Sequence, residues 1–151
     1  MGITIRRARP GEAVSLSALA LRSKGHWGYD TGFLEACRAE LTWTEGDVAR
    51  ATVVVAERGG TTVGFFVLAS GADVGELDAL FVDPPAIGTG VGGILMSEAL
   101  RVARRLGLRT IRIDADPGAE PFYMKYGARR VCEVPSGSIP GRALPRLEIE
   151  L

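Results

Sequence analysis

The chain has 151 residues, of which 46% are hydrophobic and 24% charged, a composition that is typical of a globular protein and excludes a disordered or fibrous one. Eighteen Lys and Arg balance eighteen Asp and Glu, so no net charge attracts nucleic acid or an anionic membrane. The length predicts one domain over residues 1–151, and the lack of a signal-peptide core or an apolar run of membrane-spanning length predicts a cytoplasmic protein.

The first part of the chain predicts one strand and two helices. The alternating stretch ITIRRAR is typical of a half-buried strand and stops at Pro10-Gly11. Apolar spacing predicts a helix from Glu12 to about Arg22. A second helix is expected from Asp30, a typical N-cap residue, through TGFLEACRAEL.

An antiparallel meander and a crossover are predicted next. ATVVVAERGGTTVGFFVLAS indicates a hairpin, because β-branched residues flank a Gly-Gly turn. VGELDALFVDPP is a third strand, and a helix from about Gly90 to Leu106 leads to the strand RTIRID. A short helix around EPFYMKYG and the strands RRVCEV and RLEIEL complete an α+β pattern.

The loop before the long helix contains four glycines, at positions 88, 90, 92 and 93. Small residues at a helix start let backbone N–H groups approach an anion, and the helix dipole favours it, so the loop predicts a pyrophosphate site. The spacing G-x-G-x-x-G, followed by Asp114, also matches the dinucleotide fingerprint. However, DPPAI separates the strand from the glycines and too little chain follows Asp114 for a second nucleotide-binding half. No Lys-Ser or Lys-Thr follows the glycines, which excludes a Walker A loop.

The stretch from Glu76 to Gly127 resembles the GNAT superfamily of N-acetyltransferases. IGTGVG is similar to the family loop Gln/Arg-x-x-Gly-x-Gly/Ala, with Ile87 in place of Gln or Arg. DPGAEPFYMKYGA is similar to the family segment Asn-x-x-Ala-x-x-Phe-Tyr-x-x-x-Gly-Phe, with Asp116 in place of Asn. The resemblance implies a GNAT-like fold, with a mixed, mostly antiparallel central sheet flanked by helices, and acetyl-CoA as co-substrate without a metal.

The same resemblance assigns a set of expected cofactor contacts. The departure at Ile87 removes one side-chain contact near the pyrophosphate but leaves the backbone donors of the loop. The residues expected to contact acetyl-CoA are Leu80, Phe81, Val82, Ile87, Gly88, Thr89, Gly90, Val91, Gly92, Gly93, Asp116 and Phe122.

Acyl transfer to an amine requires a base, an oxyanion donor and an acid for the leaving thiolate. Because an alkyl amine is mostly charged at pH 7, a carboxylate or a water chain must take its proton. Glu76 is the predicted base, with Asp78 about 7 Å along the same strand face as the alternative. As in the resembling family, a splayed or bulged strand end near Leu80 is expected to supply a free N–H, and the match to the family segment makes Tyr123 the expected acid.

The resemblance implies that the first helix–loop–helix covers the acceptor cleft, and two segments are expected to surround the acceptor. The loop SKGHWGYD carries His26, Trp27 and Tyr29, which are costly to expose unless they pack or bind. PSGSIPGR, with Ser138, either closes the other side of the cleft or is an ordinary long loop.

The sequence contains two cysteines and one histidine, which are too few for a typical zinc site. We expect Cys37 and Cys132 to be packing residues, so the predicted reaction is direct attack of a small-molecule primary amine in a ternary complex. No nucleic-acid or membrane partner is expected, and a homodimer is left open. The alternative function is a non-catalytic acyl-CoA-binding module.

Overall fold

The computed structural model describes residues 2–151. The strands are β1 (Ile3–Arg7), β2 (Thr52–Arg58), β3 (Thr61–Ser70), β4 (Val74–Val82), β5 (Thr110–Asp114), β6 (Arg129–Pro135) and β7 (Ala143–Glu150). The helices are α1 (Ala13–Gly25), α2 (Thr31–Cys37), α3 (Glu45–Arg50), α4 (Val91–Arg105) and α5 (Glu120–Met124), with short 3-10 turns at Pro84–Ala86 and Pro117–Ala119.

The strands form one sheet in the order β1-β2-β3-β4-β5-β7-β6. Strands β4 and β5 are parallel and joined through α4, whereas the other neighbours are antiparallel. The predicted meander, crossover and mostly antiparallel α+β sheet are confirmed. A single parallel pair within residues 2–151 is incompatible with a dinucleotide fold, which needs a mostly parallel sheet.

The parallel pair is short, and this opens the sheet at its centre. Strand β4 pairs with β5 only from Val74 to Glu76, although β4 continues to Val82. Next to the end of this pairing, the β4 register against β3 shifts, so that Asp78 forms a bulge between Leu77 and Ala79. The second half of β4 therefore borders a gap rather than a neighbouring strand.

Two apolar cores lie on opposite faces of the sheet. One packs α4 and α5 against the sheet, and the other packs α1 and α2. Gly64 of β3 marks the closest approach of α4, because an added Cβ would lie 2.9 Å from both the Leu95 side chain and the Phe81 carbonyl. The start of α4 is thereby fixed beside the end of β4.

The predicted helices differ from the observed ones in three places. Helix α1 continues to Gly25, past the predicted end near Arg22 and into the predicted loop SKGHWGYD. Helix α2 begins after Asp30, whose carboxylate accepts the Phe33 N–H, but it ends at Cys37, earlier than predicted. Helix α3 was missed by the sequence reasoning. Its signal is the capping box of Thr44 and Asp47, which identifies a helix start even when the helix is too short for apolar periodicity.

Candidate active site

The gap beside β4 carries a free backbone donor. The Asp83 N–H donates to the Val63 carbonyl of β3 at 2.8 Å. Because alternate N–H groups of a strand point to opposite edges, the Leu80 N–H points toward the gap, where β5 no longer pairs. The bulge lies at Asp78 rather than at Leu80, but together with the splay it produces the expected open strand end.

The glycine loop presents several N–H groups at the start of α4. The first intrahelical hydrogen bond is donated by Ile94 to the Gly90 carbonyl, so the N–H groups of Val91, Gly92 and Gly93 have no partner within the helix. Gly88 and Gly90 have positive φ values of 82° and 93°, which only glycine adopts readily. A Cβ at either glycine would meet open space. The loop therefore leaves room and donors for an anion, as the pyrophosphate of CoA requires.

The other two glycines of this loop also have packing roles. A Cβ added at Gly92 would lie 3.4 Å from the Phe122 ring, and one at Gly93 would lie 2.8 Å from the Tyr126 hydroxyl. Helix α5 thus packs directly on the first turn of α4. This brings Phe122, which is one of the expected cofactor contacts, to the glycine loop.

Tyr123 is a residue of α5 and is buried in the core on the α4 side of the sheet, with 7% of its surface exposed. Every fully buried polar side-chain atom in residues 2–151 has a hydrogen-bond partner. The Tyr123 hydroxyl has no hydrogen-bond partner within residues 2–151. It is therefore not one of the fully buried atoms, and it retains some access to solvent. Burial, together with the negative charge of Asp116, raises the pKa of Tyr123 well above its ordinary value. Tyr123 therefore stays protonated at neutral pH.

Asp78 lines a cleft of about 400 Å³ between β3, β4 and α3, together with Trp43, Asp47 and Arg50. Asp47 is paired with Arg50 at 2.7 Å, whereas no ion pair or hydrogen bond of the Asp78 carboxylate occurs within residues 2–151. Asp78 is exposed to solvent at the mouth of this cleft. Even so, loss of hydration in the cleft, followed by repulsion from Glu76 and Asp114, raises the pKa of Asp78 to about 6.

Glu76 lies in a different setting from Asp78. Its carboxylate forms an ion pair with Arg112 at 3.7 Å, and Arg112 also pairs with Glu148 at 3.1 Å. Both Glu76 and Asp78 face away from α4, since the alternate residues Gly75 and Leu77 are buried on the α4 side. The two candidate bases thus share a face, but only Asp78 is free of a cation.

A cluster of charged and aromatic side chains connects α1, α2, β5 and the β6–β7 loop. Oδ2 of Asp116 accepts hydrogen bonds from Lys24 and Tyr29, both at 2.7 Å, and from Arg142 at 3.2 Å. Tyr29 stacks on Phe33 with ring centroids 4.1 Å apart. Burial favours the neutral acid, but the hydrogen bonds from Lys24 and Tyr29 outweigh it and hold the pKa of Asp116 well below its usual range.

We call these five side chains the Asp116 cluster. Sequence reasoning placed Asp116 with the cofactor and Tyr29 with the acceptor, whereas the structure joins them directly. The sequence reasoning missed Lys24. No local signal identifies it, because Lys24 and its partner Asp116 are 92 positions apart in the chain. The cluster ties the β6–β7 loop to α1 and α2.

The remaining predicted acceptor residues lie outside this cluster. His26 and Trp27 follow α1 on the surface, where Trp27 is 61% exposed and their rings meet edge to face. Ser138 donates to Glu40 at 3.0 Å and lies 3.6 Å from the Cys37 thiol. None of these three lines the Asp78 cleft.

The two cysteines have different surroundings. Cys37 is buried in the α1–α2 core, as predicted for a packing residue. Cys132 is exposed on β6, so the prediction that it packs is wrong. Strand β6 lies at the edge of the sheet and is exposed along almost its whole length, which leaves the Cys132 side chain at the surface.

Comparison with known proteins identifies the family of this fold. The sequence profile of the acetyltransferase (GNAT) family matches residues 19–128. The chain belongs to the GNAT family. The resemblance seen in the glycine loop and in the Phe122 segment is thereby confirmed, and the chain is an acetyltransferase for which acetyl-CoA is the co-substrate.

Individual GNAT relatives agree with this assignment. A mycothiol acetyltransferase of Sanguibacter keddieii is 32% identical over 123 residues, which are 74% of this chain but only 38% of that protein. A peptidyl-lysine N-acetyltransferase, YjaB, of Salmonella typhimurium is 37% identical over 132 residues, 84% of this chain and 83% of that protein. The crystal structure of PaiA N-acetyltransferase from Thermoplasma acidophilum in complex with coenzyme A superposes with a TM-score of 0.83, at 20% identity, over the whole of both chains.

Within residues 2–151, no group of three or more His, Cys, Asp or Glu side chains is arranged to hold a metal ion. No helix in the described part of the chain has the length and apolar character needed to cross a membrane.

Proposed function

We propose that this GNAT protein, as a single domain over residues 1–151, transfers the acetyl group of acetyl-CoA to the primary amine of a small molecule by direct attack in a ternary complex. The observation that carries the proposal is the Asp78 cleft, in which an unpaired carboxylate lies on the acceptor face of the splayed strand β4. Bound acetyl-CoA would supply the activated acetyl group at the gap, held by the N–H groups at the start of α4.

Asp78 is the better supported base. A carboxylate with a pKa near 6 is ionised at pH 7.5 and still basic enough to accept a proton from a bound ammonium group. Glu76, the base predicted from the sequence, is neutralised in part by Arg112. In this proposal Glu76 acts on the reaction through its charge, which helps to raise the pKa of Asp78.

The other two functions are assigned to Leu80 and Tyr123. The Leu80 N–H would donate to the oxygen of the acetyl group as negative charge develops on it. The Tyr123 hydroxyl would donate its proton toward the leaving sulfur. A phenol with a raised pKa is a weaker acid, so close positioning in the active site must compensate.

A small acceptor is supported by the dimensions and charge of the cleft. A volume of about 400 Å³ suits a compact ligand. The Trp43 ring and the Asp78 carboxylate favour a cationic amine. The Asp116 cluster and the contact between Ser138 and Glu40 hold the β6–β7 loop against α1 and α2, which supports a narrow entrance to the acceptor side.

The experiment that tests this function measures thiol release from acetyl-CoA with a panel of small amines, amino acids and lysine-containing peptides. Release that depends on a small amine, with the acetylated amine identified by mass spectrometry, is the expected result. Calorimetric binding of CoA without thiol release for any amine would support the non-catalytic module. A labelled acetyl-enzyme that turns over to product would contradict direct attack.

A second acceptor class is favoured by one comparison. The Salmonella relative is named a peptidyl-lysine N-acetyltransferase and aligns with most of this chain. A lysine side chain presents the same primary amine as a small alkyl amine, so the Asp78 chemistry would apply unchanged. Acetylation of peptides alone in the panel would select this class over a small molecule.

A further inference from the structure

The turn between β2 and β3 brings an arginine to the glycine loop. Arg58 is the last residue of β2 and is followed by Gly59 and Gly60, both with positive φ. Its Nη2 lies 3.4 Å from the hydroxyl oxygen of Thr89. The Thr89 hydroxyl itself donates to the Ala86 carbonyl at 2.5 Å, so its oxygen is held facing Arg58.

The guanidinium of Arg58 carries a charge that no neighbour neutralises. Fourteen ion pairs occur within residues 2–151, and Arg58 belongs to none of them. Its contact with Thr89 is long for a hydrogen bond and costs little to break. The residue is half-buried, but its contact with Thr89 lies at the surface, so the guanidinium can reorient toward an anion bound at the loop.

This free cation stands beside the position where the GNAT loop of this chain lacks a donor. Ile87 occupies the place of the family Gln or Arg, and an isoleucine side chain offers no hydrogen bond. Thr89, the residue that Arg58 contacts, lies between Gly88 and Gly90 in the same loop. An arginine suits a phosphate especially well, because its planar group donates two parallel hydrogen bonds.

We propose that Arg58 binds a phosphate of CoA, so that a side chain from the β2–β3 turn replaces the contact that Ile87 cannot make. The inference rests on acetyl-CoA being the co-substrate. CoA carries a pyrophosphate and a 3′-phosphate, and the chemistry of recognition is the same for both. Which phosphate Arg58 binds is decided by comparing CoA with 3′-dephospho-CoA.

The test is calorimetric titration of the wild type, Arg58→Ala and Arg58→Lys with both ligands. We expect Arg58→Ala to weaken CoA binding about tenfold, the scale of one charge-assisted phosphate contact, and Arg58→Lys to weaken it less. The matched control is Arg105→Ala at the far end of α4, which removes an exposed arginine that, like Arg58, forms no ion pair within residues 2–151.

Each outcome has a defined meaning. Equal weakening with both ligands assigns Arg58 to the pyrophosphate, and weakening with CoA alone assigns it to the 3′-phosphate. A dissociation constant for Arg58→Ala within twofold of wild type for both ligands, or an equal loss in Arg105→Ala, overturns the inference. Failure of the wild type to bind CoA would instead refute acetyl-CoA as the co-substrate.

Discussion

Replacement of Asp78 by Asn tests the base assignment, because it removes the carboxylate and keeps its size. The pKa of the Asp78 carboxyl group is raised from 3.8 to about 6. About nine-tenths of Asp78 is therefore ionised at pH 7 and about one-tenth at pH 5. For an acceptor bound as an ammonium ion, kcat/KM of the wild type should fall about tenfold per pH unit below pH 6. In Asp78→Asn this acidic limb of the pH–rate profile should disappear, and kcat/KM at pH 8 should fall about 10²- to 10⁴-fold.

The assay is thiol release with the acceptor identified in the panel, followed from pH 5 to pH 9. Glu76→Gln is the matched control, since it changes a neighbouring carboxylate on the same strand face. Loss of the Glu76 charge lowers the pKa of Asp78, so the acidic limb should move to lower pH while the plateau stays within about fivefold of wild type. An Asp78→Asn enzyme with more than a tenth of normal activity, or a large loss in Glu76→Gln, would refute the reasoning and restore Glu76 as the base.

The same substitution should not unfold the protein. The pKa of Asp78 is higher in the folded state than in the unfolded state, so its ionisation disfavours folding as the pH rises from about 4 to about 6. Above pH 6, Asp78→Asn should therefore melt at the same temperature as wild type or higher. A lower melting temperature at pH 8 would show that the carboxylate has a stabilising partner.

Three other changes test the remaining parts of the site. Tyr123→Phe should lower kcat about tenfold or more, as loss of a general acid does, and leave the dissociation constant of CoA unchanged by calorimetry; equal turnover would remove its role. Gly64→Ala should lower the free energy of unfolding in urea by about 1–3 kcal/mol and weaken CoA binding, because the added methyl displaces the start of α4. The control Gly2→Ala adds a methyl in open space and should change neither quantity. Asp116→Asn should lower the free energy of unfolding by about 1–2 kcal/mol at pH 7 by leaving cations unpaired. Because the pKa of Asp116 is lowered on folding, this difference should shrink as the pH falls below about 4, and a constant difference down to pH 2 would contradict the ionised cluster.

Local patterns in the sequence determined most of the secondary structure and the cofactor loop. Periodicity in the α4 segment, the Gly-Gly turn after Arg58 and the N-cap at Asp30 each act within a few residues, so one segment is enough to recognise them. The glycines before α4 and the Phe122 segment identified the family for the same reason. They recur at a fixed spacing within one continuous stretch.

Only the tertiary structure decided which carboxylate is free to act. Glu76 and Asp78 look equivalent on an alternating strand, but the bulge, the end of the β5 pairing and the distant Arg112 give them different surroundings. A pKa depends on the hydration of the group and on charges that folding brings close, and the local sequence pattern predicts neither of them.

The Asp116 cluster and the Arg58 contact also depend on folding. Lys24 meets Asp116 across 92 positions and Arg58 meets Thr89 across 31. Such pairs are set by how the helices and the hairpin pack on the sheet, whereas a single sequence reports directly only on neighbours within a few residues. The sequence therefore determined the helices, the strands and the glycine loop, while packing brought together the side chains that surround that loop and the sheet.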